Sequence, residues 1–231
     1  VHGEWVLDMD ALLAAIPPRT RLLIVNSPNN PTGWTLTADE QRALLAHCRR
    51  TGTWILADEV YERLYYETDT ANGCAPSFLD VSQPDDRLVV VHSFSKSFLM
   101  TGWRLGWLVV PPQLVDVVER LAQHLFICPS TLAQHAALAC FEPDSLAEYE
   151  RRRAEFKARR DYFIPALNAL GLTVPVLPDG GFYAWADCTA LFRQLGVADS
   201  WDASFEIMRR AHLAVTPGRD FGVAETGRFI R

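Results

Sequence analysis

The segment RLVVVHSFSK, residues 87–96, places a short apolar, β-branched run directly before two serines and a lysine. Two other runs have the same composition, RLLIV at 21–25 and TWILA at 53–57. Continuous apolar runs of this length are typical of strands in a parallel sheet that is covered on both faces. A capping-box pattern at 37–40 and a glycine at Gly52 mark the start and end of a helix between the first two runs. We therefore predict an α/β fold built on these strands.

Downstream, the sequence predicts one more strand and three helices. RLGWLVV at 104–110 has strand composition, and a helix follows Pro111. The apolar face of that helix is formed by Leu114, Val117, Val118 and Leu121. A second helix follows Ser130, and a third spans 144–170 and is interrupted or ended near Pro165.

The pattern changes after Gly171. LTVPV at 172–176 and FYAWA at 182–186 flank the turn sequence PDGG, which favours a strand pair within a smaller α+β unit. We predict two domains: residues 1–145 form part of the large domain, and residues 146–231 form the connecting helix and part of the small one.

Composition limits the function classes. The net charge of −6 and the pI near 5.5 give no general affinity for nucleic acid, and the arginines of 151–160 alternate with acidic residues as on a solvated helix face. Five scattered cysteines without a CxxC pair favour reduced thiols in the cytoplasm. The histidines have no metal-ligand spacing, and no apolar run is long enough to span a bilayer. We therefore expect a cytoplasmic protein without a metal or a membrane partner.

Polar residues follow each apolar run. They lie at 26–33, at 58–61 and at 93–96. If the runs are parallel neighbours, these residues meet at the carboxyl edge of one sheet, where open α/β folds bind ligands. Taken singly, the first group could be only a turn, Asp58 only a helix cap and Lys96 only a solvent-facing lysine. Together they suit a ligand with a phosphate, an aromatic nitrogen and a carbonyl.

Four motifs in this order and spacing resemble a known family: NSPNNPTG at 26–33, ADEVY at 57–61, SFSK at 93–96 and GWRLGW at 102–107. They are similar to the large domain of fold-type I pyridoxal-phosphate enzymes of the class I/II aminotransferase family, which is aspartate aminotransferase-like. The resemblance continues through PDGGFYAWAD and PGRDFG to the terminal RFIR. It implies a mostly parallel sheet in a large PLP-transferase-like domain, with part of a smaller α+β C-terminal domain. Family members extend past both ends of this sequence, so we expect a fragment.

The resemblance implies pyridoxal 5′-phosphate as the cofactor and assigns its catalytic residues. Lys96 would bind the cofactor covalently through its amine and, once freed, would move the proton between the substrate α-carbon and the C4′ carbon of the cofactor. Asp58 would pair with the protonated pyridine nitrogen. Tyr61 and Asn30 would hydrogen-bond the oxygen on the ring.

The same resemblance assigns the phosphate and the substrate sites. Ser93, Ser95 and Arg104 match the phosphate-binding positions. Arg231 matches the arginine that binds the substrate α-carboxylate, beside Asn30, although by itself it could be a mobile chain end. The family members are homodimers, and they act in amino acid metabolism and biosynthesis.

The implied activity is a ping-pong exchange of an amino group between an L-amino acid and a 2-oxo acid. Three alternatives stay open: a PLP-dependent carbon–sulfur β-lyase, the aminotransferase-like effector domain of a transcription regulator, and an inactive fragment. The substrate side chain is not identified. The aromatic residues that could line an apolar substrate pocket or belong to the core are Trp103, Phe126, Phe182 and Tyr183.

Overall fold

The computed structural model describes residues 6–67 and 73–231. Within these ranges a four-stranded sheet has the strand order β1-β2-β3-β4. Its strands are β1 Leu22–Asn26, β2 Trp54–Asp58, β3 Leu88–Ser93 and β4 Gly106–Val109. β1, β2 and β3 are parallel, and β4 is antiparallel to β3. The predicted α/β fold and its four strands are confirmed.

The helices of the described ranges are α1 Met9–Ala15, α2 Ala38–Thr51, α3 Pro112–Leu125, α4 Thr131–Leu138, α5 Pro143–Ala169, α6 Thr189–Leu195 and α7 Ser200–Ala211.

Helix α2 packs against the four-stranded sheet. The capping box of α2 is present, because Thr37 N donates to Glu40 Oε2 at 2.7 Å and Glu40 N donates to Thr37 Oγ1 at 3.3 Å. Gly52 ends the helix with φ +72°. The core between α2 and the sheet includes Leu44, Leu45, Cys48, Ile55, Ala57 and Val90.

The expectation that the strands are covered on both faces does not hold for β1 within the described ranges. Leu23 and Val25 pack against the core, whereas Leu22 and Ile24, on the opposite face, are 47% and 66% exposed. Helix α3 forms where it was predicted, but none of its residues is buried.

The long helix α5 continues through Pro165 and ends at Ala169, so the predicted interruption near Pro165 is wrong. Proline at this position removes one hydrogen bond, and the turns on either side retain theirs. The arginines of α5 form ion pairs along the helix, including Arg151 and Arg152 with Glu148. This confirms a solvated, charge-paired helix face. None of the helices in the described ranges combines the length and the apolar character needed to cross a bilayer.

The segment after Gly171 differs from the predicted strand pair. Thr173 and Asp187 form a single bridge, and strand β5, Ala186–Asp187, pairs instead with β6, Phe229–Ile230. Pro175 explains part of the difference, since it has no N–H to extend a ladder from Thr173. These elements enclose a separate apolar cluster that includes Ile164, Val174, Ala186, Cys188, Ala203 and Ile230. The domain division at 145/146 stays a prediction, and α5 begins two residues before residue 145, at Pro143.

Candidate active site

The first two parallel strands end side by side at one edge of the sheet. Asn26 at the end of β1 lies opposite Asp58 at the end of β2. The Asn26 side chain donates to the Asp58 carbonyl at 3.1 Å, and Ser27 N donates to the same oxygen at 3.1 Å. β3 ends at the same edge with Ser93. The predicted meeting of polar residues at this edge is therefore present.

Asn30 lies in the loop after β1, which contains cis peptide bonds before Pro28 and Pro31. Asn30 N donates to Asn26 Oδ1 at 2.7 Å, which holds the loop over the strand end. The Asn30 side-chain oxygen accepts a hydrogen bond of 2.9 Å from Arg231 Nη1, over a separation of 201 residues. The loop thus joins the sheet to residues 146–231, the predicted small domain, which we call the small unit.

Arg231 is fixed through both its backbone and its side chain. Its N–H donates to the Thr216 carbonyl at 2.9 Å, and its carbonyl accepts from Thr216 N at 3.1 Å. Its Nη2 donates to Thr216 Oγ1 at 3.2 Å. The guanidinium carbon lies 4.6 Å from the ring centroid of Tyr183 and 5.0 Å from that of Phe221. The guanidinium therefore has a defined position at the edge of the sheet.

Tyr61 connects Lys96 to the small unit. Its ring is buried, and Lys96 Nζ lies 5.9 Å from the ring centroid. Its hydroxyl is 2.6 Å from the hydroxyl of Tyr183. Burial is the main cause that raises the Tyr61 pKa, and the hydrogen bond to Tyr183 and the charge of Asp58 raise it further. Tyr61 is therefore a neutral hydroxyl at physiological pH.

Asp58 is half-buried beside Tyr61. Burial raises the pKa of the Asp58 carboxyl, against the opposing effect of a 3.3 Å hydrogen bond from Val60 N. A cationic partner at this carboxylate would offset the cost of its burial.

The turn after β3 presents the serines and the lysine. Ser95 N donates to Ser93 Oγ at 3.0 Å, and Ser93 lies opposite Gly106 of β4. Arg104, two residues before Gly106, is exposed and has a left-handed backbone with φ +53°. Its Nη1 donates to the Thr101 carbonyl at 3.1 Å. The structure places Arg104 near this edge, and its role at a phosphate stays a prediction.

Glu59, Glu62 and His92 form a cluster of titratable side chains that begins directly after Asp58 in the sequence. Glu59 accepts hydrogen bonds from Ser77 Oγ at 2.6 Å and from Phe78 N at 2.8 Å. The His92 nitrogens lie 3.9 Å from Glu59 and 3.5 Å from Glu62. Ligand atoms of these three residues lie within 4.8 Å of one another. Because both Glu59 oxygens already accept hydrogen bonds and the two glutamates approach different ring nitrogens, we interpret the group as structural support for the Asp58 strand end.

Comparison with known proteins identifies the family. The sequence profile described as aminotransferase class I and II matches residues 1–230. The chain belongs to this aminotransferase family.

The chain is also similar in sequence to individual proteins that are named as aminotransferases. The chain is 35% identical over 220 residues to a valine–pyruvate aminotransferase of Mycobacterium tuberculosis, covering 95% of this chain and 54% of that protein. It is 34% identical over 227 residues to an aspartate aminotransferase of Musicola paradisiaca, covering 97% and 54%. It therefore spans about half the length of the curated relatives that it matches.

Solved aminotransferase structures share the fold. The aromatic aminotransferase from Pyrococcus horikoshii OT3 has a TM-score of 0.84 and 32% identity, covering 98% of this chain and 58% of that one. An aminotransferase from Mycobacterium tuberculosis has a TM-score of 0.84 and 34% identity, covering 95% and 54%. The aminotransferase resemblance of the sequence motifs is confirmed.

The donors and acceptors at the strand ends fit the cofactor of this aminotransferase family. Asp58 offers a half-buried carboxylate to a protonated ring nitrogen, and Tyr61 and Asn30 offer a hydroxyl and an amide to a ring oxygen. Ser93 and Ser95 are adjacent at the end of β3, in a position suited to an anionic group. The chemistry of this set matches pyridoxal phosphate.

Sequence reasoning missed two residues of the candidate site. Tyr183 was assigned either to an apolar pocket or to the core, and Thr216 was not considered. Both contact Arg231. The sequence did carry a signal for Tyr183, because the glycine pair before it allows the backbone to approach another segment closely. In the structure, Gly181 N donates to the Leu64 carbonyl at 2.7 Å, near Tyr61.

Proposed function

We propose that the protein containing this chain is a pyridoxal-phosphate-dependent aminotransferase that exchanges an amino group between an L-amino acid and a 2-oxo acid. The observation that supports this most is the cluster formed by Lys96, Tyr61, Asn30 and Arg231 in a chain of this family. The cluster combines an amine, a phenol, an amide and a guanidinium, which are the groups that this reaction requires.

Residues around the strand ends would hold the cofactor. Lys96 would bind it covalently, and Asp58 would keep its ring nitrogen protonated. Tyr61 would donate a hydrogen bond to the ring oxygen, with Asn30 beside it. When bound, pyridoxal phosphate supplies an electron sink for the electron pair left at the substrate α-carbon after proton removal.

The phosphate would be held at the end of β3. Ser93 and Ser95 provide hydroxyl donors, and Arg104 provides a guanidinium fork for a dianionic acceptor. The substrate α-carboxylate would bind at Arg231 as a bidentate pair, with Asn30 as a neighbour. Lys96, once released from the cofactor, would take the proton from the substrate α-carbon and deliver it to the C4′ carbon of the cofactor.

The proposed substrate is an L-amino acid whose side chain is not specified. The relatives are named for valine and pyruvate, for aspartate and for aromatic amino acids, so their names support no single substrate. Because these names describe transamination, they favour an aminotransferase over a carbon–sulfur lyase or a regulator domain. We further propose a homodimer that acts in amino acid biosynthesis, as the sequence resemblance implies. The scattered cysteines without a CxxC pair favour a cytoplasmic location.

The test uses the complete gene product with added pyridoxal phosphate, beside its Lys96→Ala variant. We expect a long-wavelength absorption band that requires Lys96 and that bleaches when an L-amino acid is added. A 2-oxo acid should restore the band. A β-lyase would instead release pyruvate and ammonia from cysteine-type substrates without a 2-oxo acid. Identical spectra for wild type and Lys96→Ala would refute the proposed function.

A further inference from the structure

Tyr183 enters the candidate site on a segment that is held at two places. Asp179 N and Gly180 N both donate to the Gly33 carbonyl at 2.9 Å, which joins this segment to the Asn30 loop. Gly181 N donates to the Leu64 carbonyl at 2.7 Å. These backbone contacts fix the direction from which the Tyr183 side chain approaches the sheet edge.

One end of the Tyr183 side chain contacts Tyr61. The two hydroxyls are 2.6 Å apart, and the two rings meet edge to face with centroids 5.6 Å apart. A phenol has one proton to donate. If Tyr61 donates its proton to a ligand oxygen, the hydrogen bond between the tyrosines requires Tyr183 to be the donor. A hydroxyl that accepts a hydrogen bond becomes a better donor through polarisation.

The face of the same ring contacts Arg231. The guanidinium carbon lies 4.6 Å from the Tyr183 centroid, within the range of a cation–π interaction. Hydrogen bonds to Asn30 and Thr216 orient the guanidinium in addition. Tyr183 therefore touches the residue assigned to the cofactor oxygen and the residue assigned to the substrate carboxylate.

We propose that Tyr183 is a positioning residue with two separable parts: its hydroxyl directs the proton of Tyr61 toward the cofactor, and its ring holds Arg231 for the substrate carboxylate. This inference rests on the proposed function, because it uses the roles given there to Tyr61 and Arg231. The charged groups near Tyr61 among the described residues are Asp58, Lys96 and Arg231. All three are retained in the variants below.

Two substitutions separate the two parts in the complete, cofactor-loaded gene product. Tyr183→Phe removes the hydroxyl and keeps the ring, whereas Tyr183→Leu removes both. Tyr162→Phe is the matched control, because Tyr162 is 78% exposed on α5 and makes none of the contacts described above. Melting temperatures check folding, and Tyr183→Met replaces Tyr183→Leu if the latter melts well below the wild type.

The hydroxyl is tested by the pH midpoint at which the visible absorption of the lysine-bound cofactor changes. A hydrogen bond donated to the ring oxygen favours the anionic form of that oxygen, so a weaker donor raises the midpoint. A net hydrogen-bond contribution corresponds to a rise of about 0.5 to 1 pH unit. Tyr183→Phe and Tyr183→Leu should both show this rise, and Tyr162→Phe should not.

The ring is tested by the amino acid concentration that gives half the maximal bleaching rate. Alanine, valine, aspartate and phenylalanine are screened, and the one that reacts fastest with the wild type is used. Loss of a cation–π contact predicts a roughly 2- to 30-fold higher half-saturating concentration in Tyr183→Leu. Tyr183→Phe keeps the ring and should stay within about twofold of the wild type.

The outcomes separate this inference from the proposed function. A wild type with a Lys96-dependent band, but with an unshifted midpoint in Tyr183→Phe, overturns the role of the hydroxyl. An unchanged half-saturating concentration in the variant without the ring overturns the role of the ring. A wild type without any Lys96-dependent band refutes the proposed function itself.

Discussion

Replacing Glu59 by glutamine should change how the stability of the protein depends on pH. Glu59 is 2% exposed, and burial is the main cause that raises its pKa from the ordinary 4.5 to about 7. The hydrogen bonds from Ser77 and Phe78 oppose this rise, while the charges of Glu62 and Asp80 add to it. Glutamine can keep both hydrogen bonds, because the Ser77 hydroxyl can accept from its amide as well as donate.

The magnitude follows from the difference between the folded and unfolded states. Because the pKa of Glu59 is higher in the folded state, its protonation stabilises that state fully below pH 4.5, and this stabilisation is lost as the pH rises through about 7. At about 1.4 kcal/mol per pKa unit, the total change is about 3 kcal/mol. Burial lowers the pKa of His92, so the contribution of His92 has the opposite sign.

Urea unfolding of wild type and Glu59→Gln at several values between pH 5 and pH 8 measures this change. We expect the variant to gain stability relative to the wild type by up to about 3 kcal/mol as the pH rises across this range. Glu119→Gln, at an exposed carboxyl on α3, is the control and should follow the wild type. A constant difference between Glu59→Gln and wild type from pH 5 to pH 8 would show that Glu59 has no raised pKa.

Three further substitutions test separate parts of the structure. Arg231→Lys keeps the charge but loses the guanidinium fork, so the half-saturating amino acid concentration should rise about 10- to 100-fold while the cofactor band stays unchanged; an equal loss of cofactor binding would contradict this assignment. Arg49→Ala leaves the buried carboxylate of Asp86 without its ion pair, and should cost about 1 to 2 kcal/mol of unfolding free energy at pH 7 after allowance for the partial exposure of Arg49. Because Arg49 lowers the Asp86 pKa, this loss should shrink at acidic pH, as the wild type also loses the pair when the pH falls through that lowered value. Gly33 has φ +72°, and a Cβ added there would meet Pro178 and the Gly180 carbonyl, so Gly33→Ala should lower the melting temperature. Gly227 has open space at the added carbon, so Gly227→Ala should melt close to the wild type.

The parts of the fold that the sequence predicts well depend on local signals. The α2 cap at Thr37 and its end at Gly52 follow from two short patterns, and both are present in the structure. The meeting of Asp58 and Ser93 at one sheet edge follows from apolar runs that form parallel strands and so end at the same side. Each of these predictions needs only neighbouring residues or the direction of a strand.

The parts that the sequence does not predict depend on contacts between distant segments. Strand β5 forms its ladder with Phe229–Ile230 and only a single bridge with the nearer segment at 172–176. Backbone hydrogen bonds from residues 179–181 to Gly33 and Leu64 hold the segment that precedes Tyr183, and Tyr183 in turn contacts Arg231. All residues carry a backbone C=O group and all except proline carry an N–H group, so local sequence patterns carry little information about such docking.

The hydrogen bond between Asn30 and Arg231 joins two residues that are translated at different times. The two residues are separated by 201 positions. At about 5 to 20 residues per second, Arg231 is added roughly 10 to 40 s after Asn30. Lys96 and Asp58 leave the ribosome within that interval, ahead of the arginine. The nascent polypeptide therefore carries the residues proposed to bind the cofactor for seconds before the residue proposed to bind the substrate carboxylate has been translated.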